Sequence, residues 1–162
     1  MHQAASIGIN QRIIMYEEAK EALAPMLGIW KCDNSRSEQI IEVFKEMGLR
    51  PVVGERSDVN DPFLNLHIDD GKLVAAMTQP FNSKTSVTRL DGSSSPDSII
   101  GGGSAKSYFD MVDGTPVVTT KPDDKNIKPY FLTRHMVNGE LVQKVKVVGG
   151  KAVAVRYFVR QD

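Results

Sequence analysis

The chain has one cysteine, Cys32, so it forms no internal disulfide and offers no cysteine-rich metal site. Its three histidines, His2, His67 and His135, are scattered, and no His/Asp/Glu spacing matches a metal site or a zinc-binding helix. It has no surplus of charge either. Twenty basic residues balance 20 acidic ones, so nothing broadly attracts a phosphate backbone and no nucleic-acid partner is expected. No run approaches the length of a membrane span, and Asn10, Gln11 and Arg12 interrupt the one apolar stretch near the N-terminus before it reaches the length of a signal-peptide core. There is no Asn-X-Ser/Thr sequon. Together these absences lead us to expect a soluble, cytoplasmic protein, with secretion the less favoured reading. Catalytic signatures are missing as well: there is no Gly-X-Ser-X-Gly elbow and no Ser/His/Asp arrangement. The acidic pairs Asp69-Asp70 and Asp123-Asp124 fall at turns, where Asp is favoured for backbone reasons. Cys32, beside Trp30, lacks a basic helix terminus that would make a thiolate, and reads as an inert, half-buried thiol. Neither enzyme activity nor a cofactor or metal is expected.

What is present is turn chemistry. Asp70-Gly71, Asp91-Gly92, Asp113-Gly114, Asn138-Gly139 and Gly149-Gly150 each separate runs rich in Val, Ile, Thr, Tyr and Phe, a pattern that pairs neighbouring strands antiparallel in sequence order. Strands are expected at 28–32, 62–68, 72–79, 85–90, 105–112, 115–121, 128–137, 140–148 and 151–160. Between the first and second lies a helical stretch, 37–48, with Ser35 or Ser37 as N-cap, an apolar stripe of Ile40, Ile41, Phe44 and Met47, and Gly48 to end it. Residues 49–56 read as a second short helix with Pro51 in its first turn. The expected fold is mostly β: a small up-and-down antiparallel barrel of about ten strands with a helix-turn-helix lid and an extra N-terminal helix over 11–23, stopped by Pro25. Residues 1–24 are expected to form an extension outside the barrel, dispensable for folding, and 25–162 the barrel domain. Residues 93–103, rich in Ser and Gly, read as a mobile loop or a gap in strand pairing. They are not a phosphate cradle, since a strand and not a helix follows.

In order and spacing, Gly28-Ile29-Trp30, the lid segment 37–58, Gln79-Pro80-Phe81-Asn82, Thr133-Arg134-His135, Asn138-Gly139-Glu140-Leu141-Val142 and Val155-Arg156-Tyr157-Phe158 resemble the intracellular fatty-acid-binding protein family. That family includes the cellular retinoid carriers and belongs to the calycin barrels; the resemblance runs from about residue 27 to 162. It implies a carrier enclosing a long-chain fatty acid or related hydrophobic ligand, and a monomer with transient membrane contact through the lid. Ligand would pass between the lid, with Phe44, and the turn at Phe81. The resemblance makes Arg134 and Arg156 the carboxylate anchors. A tyrosine of the family's pattern is replaced here by Phe158, and a lost hydrogen bond to a charged group is worth about 1.5–3 kcal/mol. The head group is then held differently, and a retinoid, a fatty aldehyde or a bulkier lipid stays among the candidates. Because Gly-X-Trp also occurs in lipocalins, a different calycin-type barrel, lipocalin or haem-binding, is the alternative. A ligand-free module whose N-terminal helix docks a partner is a third reading.

Strand alternation tests the arginines. Ala152, Ala154, Arg156, Phe158 and Arg160 share one face of the last strand and Val153, Val155, Tyr157 and Val159 the other. The residue pattern alone buries the valines and exposes the arginines, since Arg is seldom buried without a partner. The resemblance implies the reverse. Arg134 shares its face with Tyr130, Leu132 and Met136. If that face turns inward, so do Leu141, Gln143, Val145 and Val147 on the next strand, and Gln143 becomes a second polar anchor; on a slipped register it faces solvent.

Overall fold

A computed structural model describes residues 8–49, 61–79, 82–99 and 103–162. Asp70-Gly71, Asp113-Gly114 and Asn138-Gly139 each put both residues at positive φ (49° and 73°, 50° and 79°, 51° and 79°). This is the type I′ geometry whose twist matches the flanking strands, and it accounts for Asp or Asn followed by Gly at each tip. The turns join β2 (Phe63–Asp69) to β3 (Lys72–Gln79), β6 (Ser104–Val112) to β7 (Thr115–Pro122) and β8 (Tyr130–Val137) to β9 (Glu140–Val147). With β1 (Gly28–Cys32), β4 (Asn82–Arg89), β5 (Ser95–Ser98) and β10 (Ala154–Arg160), they make one ten-stranded antiparallel sheet. In it β1 pairs with both β2 and β10, so the sheet curls round on itself. Its two ends are β4 and β5, which pack together without a backbone ladder, leaving a nearly closed barrel.

The expected ten-stranded barrel is therefore present, with one strand where a loop was expected. Ser95–Ser98 has none of the β-branched or aromatic residues that signal a strand. It pairs with β6 alone, and Pro96, lacking an N–H, is tolerated on such an edge. Ser95 Oγ accepts the Arg89 backbone N–H at 2.9 Å, so a side chain makes the link that the missing ladder does not.

Two helices close opposite ends of the barrel. The first, α1 (Ile9–Leu23), runs into a 3₁₀ turn, Ala24–Met26, that contains Pro25. It packs on β6 and β7, and its first half lies beside the turn residues Asp70, Gly71 and Asp91. Sequence pattern placed this helix apart from the core, but Ala19 and Leu23 are fully buried, in one cluster with Trp30, Leu64, Leu66, Leu73, Phe109 and Phe158. The helix is about evenly polar around its surface, so nothing in its own periodicity announces a buried face; the barrel end supplies one. Trp30 Nε1–H donates to Met26 O at 2.9 Å, and the Arg160 guanidinium stacks 4.2 Å from the Trp30 ring while donating to Pro25 O and Leu27 O. Gly28 sits here at φ 130°, a conformation that residues with a Cβ rarely adopt, which is why the tryptophan motif begins with glycine.

The second helix, α2 (Ile40–Met47), buries Ile40, Val43, Phe44 and Met47. Ile41 is partly exposed at the edge of this stripe. Its N-cap is Gln39, at φ 54° and without a side-chain cap, and not Ser35 or Ser37. Ser35 instead belongs to a 3₁₀ turn, Asn34–Arg36, where Asp33 accepts its backbone N–H at 3.2 Å. Gly48, at φ 105°, ends the helix as expected. The second lid helix expected at 49–56, beyond Leu49, and Phe81 with Pro80 lie outside the described residues. Under α2 a second apolar cluster joins Ile40, Val43, Phe44 and Met47 to Val147 and Ala154.

Candidate functional site

The inward face of β10 is the alanine, arginine and phenylalanine face. Ala154 is 5% and Phe158 0% exposed, whereas Val159 on the other face is 42% exposed. The residue pattern misjudged this because the segment leading into α2 covers part of the outer wall. Glu38 and Val155 exchange backbone hydrogen bonds of 3.0 Å, and the Tyr157 hydroxyl donates to Glu38 Oε2 at 2.9 Å. The outward valine and tyrosine thus have neighbours of their own.

Register brings the polar residues together. Arg134 on β8 lies opposite Gln143 on β9, and Gln143 lies opposite Arg156 on β10, forming one row across three strands. The slipped register that would turn Gln143 to solvent does not occur. Arg134 is 6% exposed and donates through Nε to Gln143 Oε1 at 3.1 Å. Burial pulls its pKa down from the ordinary arginine value to about 10, and among the described residues no acidic side chain pairs with it. Arg156 is half-buried, close enough to Cys32 for its charge to oppose the rise that burial imposes on the thiol. Cys32 itself is 1% exposed, more deeply buried than expected, and its Sγ–H donates to Asn34 Oδ1 at 3.3 Å.

The row lies between the two apolar clusters. On the α1 side, Met136, Leu141 and Phe158 belong to or pack against the Trp30 cluster; on the α2 side, Tyr130, Val145 and Phe44 belong to or pack against the lid cluster. Leu132, two residues from Arg134 on the same face, is half-buried. Phe158 lies opposite Cys32 and Leu141, in apolar surroundings one step along the strand face from Arg156. Of the nine residues singled out from sequence, Phe81 alone is outside the described residues.

A second group was missed from sequence. Lys84 and Ser86 of β4, Asp97 of β5 and Ser107 of β6 are hydrogen-bonded together inside the wall, and Thr120 and Tyr130 continue the polar surface. The signal was the alternation Lys84, Ser86, Thr88 and Ser95, Asp97, which a loop reading of 93–103 concealed. Burial, against the opposing effect of a Thr120 hydrogen bond, pushes the Tyr130 phenol up to about 12.

The lid helix is fastened at both ends. Glu46 accepts the backbone N–H groups of Lys151 and Ala152 at 3.0 and 3.1 Å, Met47 O accepts from Lys128 N at 2.9 Å, and Gln39 Oε1 accepts from Val153 N at 2.9 Å. Glu46→Ala is expected to cost about 0.5–2 kcal/mol and to speed amide exchange at Lys151 and Ala152 first, then through α2. Unchanged exchange by mass spectrometry would show that Glu46 does not hold the lid.

Among the described residues no group of three or more His, Cys, Asp or Glu comes together as a metal site, and no helix is long and apolar enough to cross a membrane. No family model matches the chain, and no curated protein matches it in sequence. Solved structures do. Apo lipid binding protein 8 of Caenorhabditis elegans superposes with a TM-score of 0.76 at 18% identity, covering 86% of this chain and 97% of that one. The fatty-acid-binding protein of Schistosoma mansoni in complex with arachidonic acid gives 0.74 at 17%, covering 87% and 99%. Fatty-acid-binding protein 1 of Echinococcus granulosus gives 0.72 at 21%, covering 86% and 99%. The chain has the ten-stranded barrel fold of these fatty-acid-binding proteins.

Proposed function

We propose that this protein is an intracellular, monomeric, non-enzymatic carrier that holds a long-chain fatty acid or related hydrophobic ligand inside its barrel. The observation that carries this reading is Arg134: a guanidinium buried inside a barrel, with Gln143 as hydrogen-bond partner and no acidic partner among the described residues. A carboxylate placed on the row of Arg134, Gln143 and Arg156 supplies the missing counter-charge through charge-assisted hydrogen bonds. The alkyl tail then lies along apolar lining, where each buried methylene contributes about 0.8 kcal/mol and most of the affinity arises. The α2 lid supports this reading over the lipocalin alternative, which has no such helix between its first two strands.

Calorimetric titration with a long-chain fatty acid and its methyl ester tests the proposal. One acid per chain, bound more tightly than the ester, is the expected result; no binding of either would remove the carrier reading. In the same assay Phe158→Tyr is expected to strengthen acid binding by about 1–2 kcal/mol, with no gain for the ester, because it places a hydroxyl one step from Arg156. A gain shared equally by acid and ester would mean better packing and no head-group contact.

A further inference from the structure

The inner surface of the barrel is divided. Along β1, β2 and β3 it is apolar, with Trp30, Leu64, Leu66 and Leu73 all nearly or fully buried. From β4 round to β8 buried polar side chains enter it, interspersed with Phe109, Val118 and Met136. Thr88, Ser95, Ser107 and Thr120 are each buried to 4% exposure or less, and the Asp97 side chain is 4% exposed. Strand register aligns Ser95, Ser107, Thr120 and Tyr130 as a lateral row of four hydroxyls across β5, β6, β7 and β8. Above this row stands a charged node. Lys84 Nζ donates to Ser86 Oγ at 2.7 Å and to Asp97 Oδ1 at 3.4 Å, Ser86 Oγ donates to Asp97 Oδ1 at 3.2 Å, and Ser107 Oγ donates to Asp97 Oδ2 at 2.9 Å.

Part of this node is structural, since it ties β4 to β5 where no backbone ladder does. Its hydrogen-bonding capacity is not used up by that task. An ammonium has three donors, and a serine hydroxyl that donates to Asp97 still has lone pairs to offer. Strand order puts β4 and β5 halfway round the barrel from β9, which carries Gln143 in the carboxylate row. Lys84, Ser86 and Asp97 thus lie across the interior from Gln143, and the hydroxyl row leads from Ser107 to Tyr130 on β8, the strand of Arg134, whereas an unsubstituted fatty acid has one polar end. Its tail would lie against these polar groups and leave their spare donors and lone pairs unused. An oxygen on the chain would use them.

We propose that the wall of Lys84, Ser86, Asp97, Ser107 and Tyr130 is a second polar anchor, and that the ligand is an oxygenated fatty acid bearing a hydroxyl along its chain. This rests on the carrier reading above, with the carboxylate held by the arginine row. The test is calorimetric titration of octadecanoic acid and a mid-chain hydroxyoctadecanoic acid against the wild-type protein, Ser86→Ala and Tyr130→Phe. The hydroxy acid is expected to bind about fivefold or more tighter to wild type, the ratio one net hydrogen bond produces. At least one of the two substitutions should bring that ratio near one while leaving octadecanoic acid affinity unchanged. Equal affinities for the two acids in the wild type would overturn the proposal, as would tighter binding of the unsubstituted acid. A preference that survives both substitutions would place the hydroxyl elsewhere and overturn it too. Wild-type binding of octadecanoic acid without any hydroxyl preference leaves the carrier reading intact, whereas failure to bind either acid removes both.

Discussion

Arg134→Met is expected to stabilise the ligand-free protein and, at the same time, to remove most of its affinity for a fatty acid. The stabilisation follows from burial. Arg134 is held inside the barrel with Gln143 as partner, and burial lowers its pKa from the ordinary arginine value to about 10, so the folded state disfavours the charged form. Below pH 10 the group is protonated in both folded and unfolded chains, and the whole penalty is carried. It is relieved only as pH rises above about 10 towards the ordinary arginine value, where the unfolded chain keeps a proton that the folded one has lost. A methionine of similar reach fills the same space without charge, and replacing buried ions by apolar groups often gains about 1–4 kcal/mol. The affinity loss follows from the same geometry. Truncating one member of a buried charge pair costs about 2–5 kcal/mol, so acid binding should weaken by that amount while the methyl ester is nearly unaffected. Urea unfolding of the free protein and titration with acid and ester measure the two effects separately. A variant that is less stable and loses acid and ester equally would make Arg134 a structural residue and leave the carboxylate row without its buried charge.

Removal of residues 1–24 is expected to lower the thermal midpoint by roughly 10 °C or more, contrary to a reading of this segment as a dispensable extension. Leu23 and Ala19 are 0% exposed and share a cluster with Trp30, whose indole N–H is satisfied by Met26 just beyond the helix. A leucine lost from such a site costs about 2–5 kcal/mol, so Leu23→Ala alone should account for much of the effect. The deletion adds the exposure of the barrel end that α1 covers. Circular dichroism melts of the deletion, Leu23→Ala and wild type decide the matter, since the β-rich spectrum at low temperature shows whether the barrel still forms. A deletion variant that melts with wild type would restore α1 to the standing of a separable segment.

The legible parts of this fold were those where local chemistry admits few alternatives. Two consecutive residues at positive φ demand Asn or Asp followed by Gly, so the hairpins at Asp70, Asp113 and Asn138 could be read without any knowledge of packing. The apolar stripe of α2 and its glycine stop were legible for the same reason. β5 was not. Ser95–Ser98 is extended because β6 pairs with it and because Lys84 and Ser86 of β4 hydrogen-bond to Asp97, and neither contact is announced by the four residues themselves.

The candidate site divides in the same way. Alternation along β8, β9 and β10 established that Arg134 shares a face with Leu132 and Met136, Gln143 with Val145, and Arg156 with Phe158, because successive side chains of any strand must point to opposite sides. Which of the two faces turned inward was not a local property. On β10 the valines would ordinarily be buried, and the outcome depended on Glu38 covering Val155 from outside and on the barrel closing around the arginine face. Tertiary structure also decided that α1 belongs to the core, since an evenly mixed helix acquires a buried side only from the surface it meets. Side-chain pairing within a strand is dictated by backbone geometry, whereas burial is dictated by what the rest of the chain brings to that strand; the carboxylate row required both.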